Sequence, residues 1–438
     1  MISDNNKKLA QWALDYALKK GCQAARVKIF SGSKYDVEVR NMQIDKLLQA
    51  SENSMVLHLF VDGRYGSFST NRMDKKELEK FISNGIDSSR YLAEDKARTL
   101  PDKSLYYNGN EDLQLYDSKF HSIGTDKKIE LAMQVCAEMM NKDERIISAT
   151  GSYDDREYFS YQLSSNGFEG ETASTSFGLN SSVSIKGDGD ERPESWWYDS
   201  ALFFDDLIKE GIGTKSFERV MQKLGQKKTK SGKYSMLVDS MVLGNVIRPI
   251  ISALYGSSIQ QKNSFLLNKL NEKVLGENIT LIDDPHQPKT SGARFFDDEG
   301  IATKKQPIFE NGVLKTYFID TYYGNKLETA PTIDSPSILT MQLGNKNIDQ
   351  LIETIEKGIY VTGFNGGNSN SSTGDFSFGI EGFLIEQGKR VQPVNEMNIT
   401  GNLLTLWNNL KEVGNDPFKP SRWKIPSLLF EGVDFSGL

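Results

Sequence analysis

Apolar side chains recur every three or four residues at the start of the chain, at Leu9, Trp12, Ala13, Tyr16 and Ala17. That spacing predicts an amphipathic helix over 4–20, with Ser3 or Asp4 as N-cap and Gly21 as its stop. The period then falls to two, because Ala25–Phe30 and Tyr35–Arg40 alternate apolar and polar residues as strands with one wet face do. A hairpin follows: Ser54–Val61 and Tyr65–Ser69 flank Asp62-Gly63, a pair that accepts the positive φ angles of a tight turn, and His58 falls mid-strand.

Helical spacing returns over 74–93 and 125–142, the second run opening at Thr125-Asp126 and placing Ile129, Met133, Cys136 and Met140 on one side. Cys136 therefore reads as a core residue. Strand-like segments fill 145–186, turning at Ser165–Gly167, and the aromatic run Trp196-Trp197-Tyr198 precedes a helix predicted over 202–225.

Gln226–Lys233 is polar and lysine-rich without apolar periodicity, which suits a solvated linker better than a nucleic-acid patch. It divides the chain into an N-terminal α+β domain, 1–226, and a β-rich C-terminal domain, 234–438. The second begins with a strand at Tyr234–Asp239 and a helix-like run from Met241 to Tyr255 that Pro249 interrupts. Turns are predicted at Asn311-Gly312 and Gln387-Gly388, and a last helix over Leu403–Val413. The predicted class is α+β, with two domains, a mixed helix and sheet N-terminal one and a β-rich C-terminal one.

Composition narrows the chemistry. Among 438 residues there are only three histidines, His58, His121 and His286, and two cysteines, Cys22 and Cys136. The cysteines stand 114 positions apart, so they form no zinc knuckle, and a disulfide framework would need a denser set; the chain reads as cytoplasmic. A net charge of -7 gives nucleic acid no electrostatic footing as a partner. No apolar run reaches the roughly 18 residues of a membrane span.

Zinc hydrolysis ordinarily uses two histidines one helical turn apart with a glutamate to activate water, yet the nearest pair here is 63 positions apart. No G-x-S-x-G is present for a serine nucleophile, and Cys22 follows a helix C-terminus, which does not lower a thiol pKa. His286, beside Asp283-Asp284, could join an acid–base site but reads as part of a surface turn. Asp283-Asp284 and Asp297-Asp298-Glu299 offer paired carboxylates, whose ordinary reading is a solvated loop. Gly363–Gly374, rich in Gly, Asn and Ser, serves equally well as a flexible loop or a peptide-contacting element; its candidates are Gly366, Gly367, Asn368, Gly374 and Asp375. From the residues alone, an unusual enzyme and a binding module both stay open.

Several stretches then carry a resemblance in order and spacing: Asn263–Leu266, Asp297–Thr303, Glu310–Tyr317, Gly374–Glu386, Pro393-Val394, Ile399–Leu403 and Val413–Asp416. Through them the chain resembles the TldD/PmbA family, once labelled modulators of DNA gyrase, and within it the PmbA, or TldE, branch. A weaker likeness in the opening helix, the strand at Tyr35–Arg40 and the hairpin with Gly63 and Gly66 extends the match over nearly the whole chain. The resemblance implies a metallopeptidase complex in which a TldD-like subunit carries H-E-x-x-x-H and supplies zinc. Here the corresponding segment reads Arg248-Pro-Ile-Ile-Ser-Ala253, so Arg248, Pro249 and Ala253 stand at a degenerate motif and no metal is expected in this chain. The expected partners are that zinc subunit and a peptide or unfolded-protein substrate, with a homodimer when the chain is alone. A self-sufficient homodimeric peptidase and a non-proteolytic peptide-binding or gyrase-modulating protein are the alternatives.

Overall fold

Helix α1, Asp4–Lys19, begins where the Ser3 hydroxyl accepts the Asn6 backbone N–H, and it buries Ala10, Ala13, Leu14 and Ala17. The computed structural model describes residues 2–438. Three strands follow: β1 (Ala24–Arg40), β2 (Gln43–Val61) and β3 (Arg64–Thr70), the last two joined by Asp62 and Gly63 at φ 50° and 72°. The two short strands expected at 25–30 and 35–40 are one. Ser31–Lys34 keep register with β2 and with a later strand, and Gly32 makes this possible, since a Cβ there would lie 2.4 Å from the Glu157 carbonyl oxygen.

Helices α2 (Lys75–Ser89) and α3 (Thr125–Ala137) precede β4 (Ile146–Ser164), β5 (Glu169–Ile185) and β6 (Glu194–Ala201), and α4 (Ile212–Met221) closes this half. The expected helix over 202–225 is thus shorter. Gly211 is left-handed at φ 79°, and the Glu138 carboxylate accepts the N–H groups of Gly211, Gly213 and Thr214, which fixes the helix start there.

The strands form one antiparallel sheet in the order β3-β2-β1-β4-β5-β6. Its odd-numbered positions face the helices: Val27, Ile29, Leu57, Leu59 and Leu163 pack under α1 and α2, and Val37, Tyr153, Phe177 and Leu179 under α3 and α4. Alternation then sends the even-numbered residues of β1, β4 and β5 to the opposite face.

The C-terminal half runs β7 (Gly232–Val238), α5 (Gly244–Ala253), α6 (Gly256–Gln260), β8 (Leu281–Asp283), β9 (Gln306–Glu310), β10 (Val313–Leu314), α7 (Thr321–Leu327), β11 (Leu339–Met341) and α8 (Ile348–Glu353). It continues with β12 (Lys357–Ser369), β13 (Asp375–Glu386), β14 (Lys389–Asn402), α9 (Leu403–Asn408), β15 (Leu410–Val413), β16 (Trp423–Lys424) and β17 (Leu428–Ser436). Strands β14-β13-β12-β7-β17 close into a ring, because β14 also pairs with β17 at Asn398–Thr400. Met236, Val238, Ile359, Ile380, Ile399 and Phe430 share a single core with α5. A second sheet, β10-β9-β8-β11-β16, lies in the same half. The architecture is mixed α+β with a β-rich C-terminal region.

Two local expectations change. The last helix ends at Asn408, and Leu410–Val413 form a strand against β17, where Leu410 is buried. Gly363–Gly374 is mostly strand rather than loop, with only 370–374 turning. Gly366 and Gly367, at φ 96° and 108°, form a bulge that lets β12 stay paired to β13 through Ser369. Among the described residues, no helix is long and apolar enough to cross a membrane.

Candidate functional site

The even-numbered face of the N-terminal sheet is polar, and the C-terminal half lies across it. Lys28 and Phe30 of β1, Arg156, Tyr158, Ser160 and Gln162 of β4, and Thr172, Ser174 and Ser176 of β5 form one wall of a cleft of about 580 Å³. Residues 290–298 and 335–337, with Arg422, form the other.

The Asp297-Asp-Glu-Gly300 turn fastens the two halves. Asp297 is 2 % exposed; its Oδ1 accepts the N–H groups of Glu299 and Ile301, and its Oδ2 that of Asp334. Gly300 adopts φ 92°, and a Cβ would lie 2.8 Å from the Phe168 ring of the β4–β5 turn. Glu299 faces Arg26 at 3.5 Å and Asp298 faces Lys28 at 3.5 Å. Asp297 and Glu299 therefore depart from the solvated-loop expectation, the first sealed in the seam and the second paired with Arg26, whereas the Asp298 carboxylate stays largely in solvent beside Lys28. Asp283 corrects the expectation in the same way, since it is fully buried and its Oδ1 accepts the N–H groups of Ser337 and Ile338.

Burial shapes the titration of this seam. Burial, reinforced by the Asp334 and Glu299 charges, pushes the Asp297 carboxyl up to about 7, and burial pushes Asp283 up to about 6. His58, on β2 with Nδ1 2.6 Å from the Tyr65 hydroxyl, goes the other way. Burial and the charges of Arg26 and Lys28 lower it to about 3, so it is a neutral seam residue at pH 7. Burial raises the Cys22 thiol to about 11, which removes it as a nucleophile, and Cys136 donates its thiol proton to the Ala149 carbonyl in the core.

Helix α5 lines a smaller pocket that shares Arg422 with the cleft. Val246, Ile247, Ile250, Ile251 and Ala253 are buried, whereas Arg248 is exposed, with its guanidinium 5.7 Å from the Trp423 ring. Arg248 and Ala253 are five positions apart, which puts them about 140° apart around a helix, and only Arg248 reaches a surface. A guanidinium and a methyl group offer no lone pair to a dication, so these residues do not fit zinc. Among the described residues, no three His, Cys, Asp or Glu side chains are gathered to hold a metal ion.

Pro249 lies inside α5 and has no N–H to give the Asn245 carbonyl. Pro249→Ala is expected to raise stability in urea by about 1–2 kcal/mol, the recovered helix bond outweighing the lost chain stiffness. A loss instead would show that the packing of Ile250 and Ile251 depends on the proline ring.

The other sequence candidates lie elsewhere. Gly366, Gly367, Asn368, Gly374 and Asp375 sit at the far end of β12 and in the β12–β13 turn, and none lines the cleft or the pocket at Arg248. Asp375 is engaged there with Thr373 and Asn402. His286 is on a surface turn, 3.0 Å from the Thr303 hydroxyl. Sequence reading missed Arg422 and Trp423, which carry no pattern signal. It also passed over Arg26 and Lys28, which the period-two alternation of β1 had already marked as facing away from the helices.

A helix-backed sheet, a closed ring of strands and a cleft between the two halves define a two-part α+β protein, and the comparisons give its class as the PmbA/TldA metallopeptidase type along the chain. Residues 26–89 match the PmbA/TldA metallopeptidase domain 1, 118–224 the central domain and 231–437 the C-terminal domain. The chain belongs to the PmbA/TldD family. Metalloprotease PmbA homolog of Haemophilus influenzae is 27% identical over 98% of this chain and 96% of its own. Metalloprotease PmbA of Escherichia coli O157:H7 is 25% identical over 97% and 94%. A crystal structure from Bacteroides thetaiotaomicron, named for modulation of DNA gyrase, is 62% identical and superposes with a TM-score of 0.98 over the whole of both chains. TldE from Thermococcus kodakarensis shares the fold at 19% identity, with a TM-score of 0.85 over 98% of this chain and all of its own.

Proposed function

We propose that this chain is the PmbA/TldE-type, non-zinc subunit of a cytoplasmic metallopeptidase complex. It holds an extended or unfolded peptide in the cleft while a TldD-like subunit with H-E-x-x-x-H supplies zinc. The observation that carries this reading is α5, where Arg248, Pro249 and Ala253, the residues that the resemblance sets against H-E-x-x-x-H, offer no zinc ligand, together with the polar cleft between the two halves. The hydroxyls and amides of the polar sheet face suit a peptide backbone of any sequence, and the sequence tolerance of a proteolytic chamber requires such contacts.

An unpaired strand edge supports association with a second subunit. β3 covers β2 only from Met55 to Val61, so Gln43–Ser54 is left uncovered on that side, with Met42, Ile44, Leu47 and Leu48 exposed beside it. A homodimer through this edge is the arrangement expected when the zinc subunit is missing.

The test mixes purified chain with a TldD-like chain and an unfolded protein substrate. Co-elution of the two chains, with proteolysis only in the mixture and abolished by a chelator, is expected. Stoichiometric zinc and proteolysis with this chain alone would favour the self-sufficient peptidase instead, and no association would sink the reading.

A further inference from the structure

A second, smaller pocket of about 230 Å³ opens beside α5, between the residues following β7 and the strand β16. Its charged lining is one-sided. Arg248 and Arg422 are its ionisable residues, and it contains no carboxylate; Ser240, Ser421 and the Trp423 ring complete the polar and aromatic surface. Among the described residues neither guanidinium has an acidic partner within 4.0 Å, whereas the neighbouring Arg294 is held by Asp334 at 3.0 Å. Two exposed guanidiniums brought to one pocket without a counter-charge repel each other, and an incoming anion relieves that repulsion.

Each arginine has a neighbour that steadies it. The Trp423 ring lies 5.7 Å from the Arg248 guanidinium and backs it on one side. The stem of Arg422 rests on Gly292, where an added Cβ would come within 3.3 Å of it. Arg422 lines both this pocket and the large cleft, so the two adjoin at that side chain. Tyr255, next to α5, feels Arg422, Arg294 and Arg248 together, which pull its phenol down against the larger effect of burial that raises it. The cations thus converge at the end of the cleft.

We infer that Arg248 and Arg422 form a carboxylate-recognition site at the end of the cleft, taking the carboxylate of a peptide whose backbone lies along the polar sheet face. This rests on the peptide-holding reading above and adds the chemistry of the group at the peptide's end. Arginine suits the task because its planar fork meets a carboxylate with two parallel N–H bonds, and the ring behind Arg248 limits the freedom lost on binding. Because both cations are on this subunit, the site positions substrate relative to a metal held elsewhere.

The carboxylate can be the C-terminus or an acidic side chain, and three fluorescein-labelled probes separate them. They are one unstructured peptide with a free C-terminus, the same peptide amidated, and an amidated version ending in Asp. Fluorescence anisotropy is read on the full-length chain, alone and mixed with a TldD-like chain under chelator. The free acid, the Asp amide, or both are expected to bind about tenfold or more tightly than the plain amide. Arg248→Gln and Arg422→Gln are each expected to erase that difference, read as the ratio of free-acid or Asp-amide affinity to plain-amide affinity, and Arg422→Lys to restore it only in part. Both arginines are exposed, so the variants should keep the wild-type near-UV circular dichroism. Equal binding of all three probes, or a preference that survives both glutamine variants, overturns the carboxylate site and leaves the peptide reading standing. Binding of no probe in either preparation overturns both.

Discussion

Replacing Asp297 with alanine is expected to lower stability by about 3–5 kcal/mol, because it strands three backbone N–H groups in the seam between the halves at about 1–3 kcal/mol each. The urea midpoint measures it, and a loss below about 1 kcal/mol would mean that the Asp297 carboxylate does not hold the turn.

The conservative Asp297→Asn tests the titration. A carboxyl whose folded-state pKa is raised from its ordinary value near 3.8 to about 7 contributes stability that is fully present below about pH 4 and is lost as pH rises to about 7. The stability difference between wild type and Asp297→Asn should therefore shift against wild type as pH rises through that window. Asp283, raised to about 6, has the same sign. His58 has the opposite one: with its pKa lowered from 6.5 to about 3, its contribution is present above about pH 6.5 and is lost on acidification. Each group changes stability by at most about 1.4 kcal/mol per pH unit. His58→Gln should consequently tilt the curve against high pH and Asp297→Asn against low pH. Parallel curves for the two variants would refute the assignment.

Gly382→Ala is the second large effect. Gly382 lies on β13 beside register shifts toward both β12 and β14, and a Cβ there would lie 1.9 Å from the Tyr360 carbonyl oxygen and 3.0 Å from the Val361 Cα. Those atoms are backbone held in the β12–β13 ladder, so no rotamer change relieves the contact and the strands must part. A loss of about 3 kcal/mol or more is expected, with the ring of strands loosening as a unit. Hydrogen exchange should show it as faster exchange of Ile359, Val361 and Ile380. Protection unchanged at those amides would show that the ladder can absorb a methyl group.

Much of this was written locally. The period of three to four placed α1 and its Ser3 cap, and Asp62-Gly63, Asn311-Gly312 and Gln387-Gly388 all turn at positive φ as dipeptides of that kind allow. Alternation in β1 distinguished its two faces before any partner was known. Where local rules failed, a distant contact had won: β15 forms against β17 and α4 starts on Glu138, both invisible to a window of neighbouring residues.

The sequence by itself determined α1, the alternating faces of the N-terminal strands, the dipeptide turns, the mixed class, the family resemblance and the absence of a histidine pair at Arg248–Ala253. Only the tertiary structure decided that Asp283 and Asp297 are buried, that Asp298 and Glu299 meet Lys28 and Arg26, and that Arg248 shares a pocket with Arg422. The physical reason is range. Periodicity and turn preference act over a few residues, whereas desolvation and charge pairing depend on which distant segments the fold brings to the same face.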